Sequence, residues 1–141
     1  MRIAFSVIGT PGPQGSKRHV GGGRMIEMSQ KVKPWREAVV WAAREAMTAQ
    51  GGGIKGAVSV RLWFTVIKPK SAPKRRTILP GKKPDIDKLC RSTFDALVTA
   101  GAIEDDSRIV QLATGKLFPG EGDHAMDVPG CVILIHRVGD V

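Results

Sequence analysis

Apolar and polar positions alternate over 2–8, with Ile3, Phe5 and Val7 on one side and Arg2, Ala4 and Ser6 on the other. That period of two predicts a half-buried strand. It returns over 57–66, where Val58, Val60, Leu62, Phe64 and Val66 oppose Ser59, Arg61 and Thr65. Between these strands the spacing becomes helical over 30–50, through Val32, Trp35, Val39, Ala42 with Ala43, and Ala46. Pro34 suits the first turn of that helix, and Gly51-Gly52-Gly53 ends it. A second helix is predicted over 86–100, apolar at Ile86, Leu89 with Cys90, Phe94 and Leu97, with Gly101 as its stop. Two further strands follow, at 109–113 and 131–135, separated by a loop over 119–130. The order βαβ, loop, αββ predicts an α/β (α+β) domain, a small mixed sheet packed with two main helices. No repeat, heptad or low-complexity tail interrupts it.

The chain has 141 residues, enough for one domain spanning 1–141 with its own core. Its 22 Lys and Arg against 13 Asp and Glu give a net charge of +9, which points to a polyanionic partner. Nucleic acid is favoured over an anionic membrane surface. No apolar run reaches the roughly 18 residues of a membrane span, and the opening residues are too short and polar for a signal peptide. Cys90 and Cys131 form neither a CxxC pair nor a zinc-ligand spacing, so a reducing cytoplasm is expected.

The positive charge gathers in two loops. The first, over 9–24, is rich in Gly and Pro and carries Lys17, Arg18 and Arg24 as phosphate anchors, without the GKS/T ending of a nucleotide-binding loop. The second, over 67–84, has seven Lys or Arg, four Pro and no acid. Read blandly, both are solvated linkers. Read functionally, Lys74, Arg75, Arg76, Lys82 and Lys83 guide a phosphate backbone. Trp35 and Trp41 have the geometry to stack on bases, but Trp35 fits a core position better.

The acids are distributed differently. Six of the 13 fall within 83–108: Asp85, Asp87, Asp95, Glu104, Asp105 and Asp106. Like charges so crowded need a cation or hydrogen bonds to compensate them. Asp85 and Asp87 sit at a helix entrance, where free N–H groups favour carboxylates. Asp105 and Asp106 precede a strand, and packing of helix on strand is expected to bring all four together. Oxygen donors without His or Cys suit Mg²⁺ or Mn²⁺, which would serve phosphodiester hydrolysis. Arg91 or Lys88 is then placed to stabilise charge developing on phosphorus. The bland alternative makes Asp85 a helix cap and Asp105-Asp106 a turn. No Ser/His/Asp constellation competes, because His19, His124 and His136 are scattered.

KPDIDKL, RSTFDALVTAGAIEDDSRIVQL and the GK that follows, in this order from Pro84 to Lys116, resemble the signature of RusA-type Holliday-junction resolvases of bacteria, prophages and phages. GTPGPQGSKR and the Trp35-Arg36 helix are similar too, so the likeness covers most of the chain. It implies Asp85, Asp87 and Asp106 as essential acids holding Mg²⁺, with Mn²⁺ as substitute, and Asp105 as a further oxygen donor. It also implies a homodimer that nicks branched DNA symmetrically, in the cytoplasm of a bacterial or phage-infected cell, without a small-molecule cofactor or a membrane. A two-fold substrate is best read by a two-fold protein.

Three positions depart from the family pattern: Lys88 stands where Asn is usual, Arg91 where Lys is usual, and Arg108 where Gln is frequent. Arg91 keeps the charge but cannot release a proton as lysine can. Lys116 matches a lysine that contacts DNA or the site. The expected function is a Mg²⁺-dependent endonuclease resolving four-way junctions in recombination and repair. Its rivals are an architectural branched-DNA-binding protein with lost catalysis, in which the Lys88 ammonium takes the cation's place, and a nuclease for flaps or RNA hybrids.

Overall fold

The computed structural model describes residues 1–15, 22–73 and 78–141, and for 22–29 it describes the backbone alone. The elements run β1 (Arg2–Ile8), α1 (Gly22–Thr48), β2 (Ala57–Thr65), α2 (Ile86–Ala100), a 3₁₀ turn (Asp106–Arg108), β3 (Ile109–Leu117) and β4 (Gly130–Gly139). The strands make one mixed sheet in the order β1-β4-β2-β3. β4 is antiparallel to both its neighbours, while β2 and β3 are parallel. A parallel pair needs a crossover connection, and α2 supplies it.

The period of two in β2 works as expected. Val58, Val60, Leu62 and Phe64 are buried against the helices, together with Ile3 and Val7 of β1 and Cys131, Ile133 and Ile135 of β4. From α1 come Trp35, Val39, Ala43 and Met47, spaced by four so that they form one stripe. From α2 come Leu89, Ala96 and Leu97. Each large apolar side chain so enclosed contributes about 1.5–3 kcal/mol. The two helices are also joined by hydrogen bonds: Trp35 Nε1 donates to Thr93 Oγ1 at 3.1 Å, and that hydroxyl donates to the Leu89 carbonyl at 2.8 Å.

Part of the opposite sheet face is covered by the loop over 118–129. There His124 stacks on Trp63 with ring centroids 4.3 Å apart, and Met126 N donates to Thr65 Oγ1 at 2.8 Å.

The first helix differs from expectation. It begins at Gly22, so Gly22 to Arg24 are helical rather than loop, and Pro34 lies inside the helix rather than in its first turn. Proline removes only its own N–H bond and crowds one preceding carbonyl, a local cost that the packed stripe beginning at Trp35 outweighs. Trp35 is 1% exposed whereas Trp41 is 76% exposed. Six residues carry a helix about 240° round its axis, so the two indoles cannot share a face.

Candidate active site

Asp85 stands at the N-cap of α2, yet its side chain makes no capping hydrogen bond. Its Oδ2 instead accepts from Lys88 Nζ at 2.9 Å. That contact, with the charge on Lys88 and smaller effects of Lys83 and Lys116, holds the carboxyl below its ordinary value. The same pairing raises the Lys88 ammonium. The helix-cap alternative is therefore not what this carboxylate does. Asp87 and Arg91, one turn apart, are both exposed on α2.

Asp105 behaves in the opposite way. Its Oδ2 accepts from Ser107 N at 3.1 Å and from Ser107 Oγ at 2.5 Å, capping the 3₁₀ turn that Asp106 opens. Those two bonds, the hydroxyl's first, lower its pKa. Glu104 is engaged elsewhere, accepting from Gly56 N at 2.7 Å and facing Arg108 Nε at 3.6 Å.

Helix α2 lies antiparallel to β3, and three contacts fix its position. Lys116 Nζ donates to the carbonyls of Lys82 and Pro84 at 2.9 and 2.8 Å, hanging the helix entrance from the far end of β3. Cys90 Sγ lies 3.7 Å from Thr114 Oγ1. Beyond the helix, Ile54 N donates to the Ala102 carbonyl at 2.9 Å and Ile54 bridges to Ile103, just ahead of β2. Asp85 and Asp87 consequently sit at the C-terminal end of β3, and Asp105 and Asp106 at its N-terminal end.

The seven steps from Ile109 to Lys116 cover on the order of 23 Å of extended chain. The two acid pairs are thus separated by on the order of 20 Å along the strand, and convergence within one copy is not what the fold produces. Among the described residues, no group of three or more acidic, His or Cys side chains stands close enough to hold a metal ion. The physical reason is topological: a crossover helix running the full length of its parallel pair delivers its two ends to opposite edges. The donor chemistry suits a hard divalent cation, but one copy supplies it only in halves.

Three contacts were invisible to periodicity. Gln14 Nε2 donates to Asp95 Oδ2 at 2.7 Å, and Gln14 N donates to the Lys88 carbonyl at 3.0 Å. Ser92 Oγ, buried in α2, donates to the Gly12 carbonyl at 2.5 Å. Together these lay residues 12–14 along the helix that carries Asp85 and Asp87. A Cβ at Gly12 would come within 2.3 Å of the Lys31 carbonyl oxygen, so the same segment also touches α1 closely. The only sequence signal was the polar face shared by Asp87, Arg91 and Asp95.

Among the expected DNA contacts, Lys82 and Lys83 are exposed. Lys116 is engaged with the two carbonyls. Lys17, Arg18, Lys74, Arg75 and Arg76, together with the Arg24 side chain, lie outside the described residues. Burial raises both thiols, Cys131 most of all, which keeps them protonated and structural.

A nucleic-acid enzyme is the class that this cationic fold and its acidic stretch define, and comparison with known families makes it specific. The sequence model described as Endodeoxyribonuclease RusA matches residues 8–126. The chain belongs to that family, whose members are Holliday-junction-resolving endodeoxyribonucleases. Among individual curated proteins no match is found. No described helix is long and apolar enough to cross a membrane.

Proposed function

We propose that this protein works as a homodimer, resolving four-way junctions by paired nicks, with Asp85, Asp87 and Asp106 holding Mg²⁺ and Asp105 as a further oxygen donor. The observation that carries the site is the Asp85 carboxylate. It occupies a helix N-cap but leaves the capping bond unmade, and it faces cations instead. A bound divalent cation supplies an activated water and offsets charge at the scissile phosphate. The chain's own groups do the positioning. Lys116 fixes the backbone ahead of Asp85, Gln14 and Ser92 hold α2, and Arg91 offers a guanidinium to a phosphate oxygen one turn beyond Asp87. Lys82 and Lys83, exposed immediately before the acids, attract the backbone of branched DNA.

The test is strand cleavage of a synthetic mobile junction, with and without Mg²⁺, beside a linear duplex of the same sequence. Symmetric nicks in the junction alone, lost in Asp106→Asn while junction binding persists, are the expected result. Unchanged cutting by Asp106→Asn would remove that residue from the site.

One observation favours a second reading. Lys88 Nζ already lies 2.9 Å from Asp85 Oδ2, where an ammonium can substitute for a metal cation in an architectural protein. Tight junction binding with no nicking across a Mg²⁺ and Mn²⁺ titration would establish that reading instead.

A further inference from the structure

We infer that a groove on the outer side of α1 takes an unpaired nucleotide of the bound DNA, with its base stacked on Trp41. The inference rests on the reading above that branched DNA is the substrate, and it concerns a surface apart from the acids. The groove is open and has a volume of about 600 Å³. Val32, Val40 and Trp41 make its apolar part, and Thr99 lines it from α2. Lys33, Arg36 and Arg44 bring three positive charges to it against the single acid Glu37.

Trp41 differs from the other two indoles. Trp35 is buried in the core and Trp63 is stacked on His124, whereas Trp41 is 76% exposed. Isolated apolar side chains at a surface need no explanation, but an indole continuous with two valines in a groove marks a contact surface. Among the described residues none of the three cations is in an ion pair. A strand of nucleic acid uses both features at once, since a base stacks on an aromatic face while guanidinium and ammonium groups meet its phosphates. An acidic peptide would satisfy the cations. DNA accounts for the indole as well, and a polyanion is what the +9 charge of the whole chain already favours.

A base within a continuous duplex has both faces covered by its neighbours. Unpaired bases cost least to unstack, so the groove selects DNA with an opened centre over plain duplex. Thr99 lies twelve residues beyond Asp87 on α2, on the order of 18 Å along the helix. That is about five nucleotide steps of one strand, so a single DNA molecule reaches both the groove and the acids.

The experiment follows tryptophan fluorescence of the full chain without metal, so that nothing is cut. Oligothymidylate, a blunt duplex, the four-way junction and polyglutamate are titrated in turn. Oligothymidylate and the junction should quench the emission, and the duplex and polyglutamate should not. Trp41→Leu should lose the quench and bind oligothymidylate roughly 5- to 100-fold more weakly, the worth of one stacked base. Trp41→Phe, which keeps an aromatic face, should retain most of the affinity. The log–log salt slope should be unchanged in Trp41→Leu and smaller by roughly 0.7 in Arg44→Gln.

Full-strength binding of oligothymidylate by Trp41→Leu overturns the proposal, as does an equal quench by blunt duplex. A quench by polyglutamate and not by DNA assigns the groove to an acidic peptide instead. A change of sedimenting mass in Trp41→Leu, with DNA affinity intact, assigns it to a second copy of the chain. With Mg²⁺ added, uncut junctions beside an intact quench defeat the cleavage reading alone, and cleavage without any quench defeats the groove alone.

Discussion

Replacing Lys116 with methionine keeps most of the side chain's length and removes the group that ties β3 to the helix entrance. Two hydrogen bonds disappear, to the Lys82 and Pro84 carbonyls at 2.9 and 2.8 Å. A bond to a charged donor is worth about 1.5–3 kcal/mol when well shielded. Here one of the two is exposed and the other only partly buried, and water can resolvate both carbonyls. The combined loss should be about 1–2 kcal/mol. For a domain of this size that lowers Tm by about 3–8 °C.

The loss should be local. Amide exchange in the first turn of α2, where Leu89 N donates to the Asp85 carbonyl at 3.1 Å, should accelerate more than exchange in β2. Cleavage should fall in kcat more than in KM, because the acids lose their fixed position while the cationic surface loses one charge. Unchanged Tm and exchange, with junction affinity alone reduced, would refute the clamp and make Lys116 a phosphate contact.

Trp35→Phe removes the indole donor to Thr93 and leaves unfilled volume, and should cost about 1–2.5 kcal/mol in urea unfolding with an unchanged m. Gly53→Ala would place a Cβ 1.8 Å from the Gly101 carbonyl oxygen and should destabilise by about 2 kcal/mol or more; Gly81→Ala, which meets nothing within 4 Å, is its near-neutral control in the same thermal scan. Lys88→Met should raise the Asp85 carboxyl back toward its ordinary value, seen as a higher titration midpoint by ¹³C NMR. Since the folded pKa of Asp85 is depressed, its stabilising effect is present above the unfolded value and fades as pH falls through the folded one, so this acid-side dependence should shrink in the variant. An unmoved midpoint would show that the ion pair does not form in solution.

What could be read from the chain alone was local. Val58 to Phe64 declare a strand by alternation, and Leu89, Leu97 and Gly101 declare a helix with its stop, because burial of one face leaves a mark at fixed spacing. The relation between Asp85 and Asp106 leaves no such mark. A gap of about 20 positions suits convergence as well as separation, and only the crossover topology, with α2 antiparallel to β3, decides between them. Gln14 and Asp95, 81 positions apart, meet for the same non-local reason. The start of α1 was hidden because Gly22 and Gly23 are poor helix formers, so the segment carries loop composition. Residues 86–100 combine good helix formers with a stop in the αL conformation, and there local and global preferences agree.

β4 is the last strand in chain order, yet it lies second in the sheet, with Arg2 opposite His136 on one side and Phe64 opposite Cys131 on the other. During synthesis, β1 and β2 therefore emerge with nothing to join them until residues 130–139 leave the ribosome. The acidic stretch is complete some 24 residues earlier, so the nascent chain holds its chemistry before it has a closed sheet to carry it. Premature termination before Gly130 would leave β1 without a strand partner and β2 paired with β3 alone. Sheet closure by β4 is in that sense the step that joins β1 to the β2–β3 pair on which α2 rests.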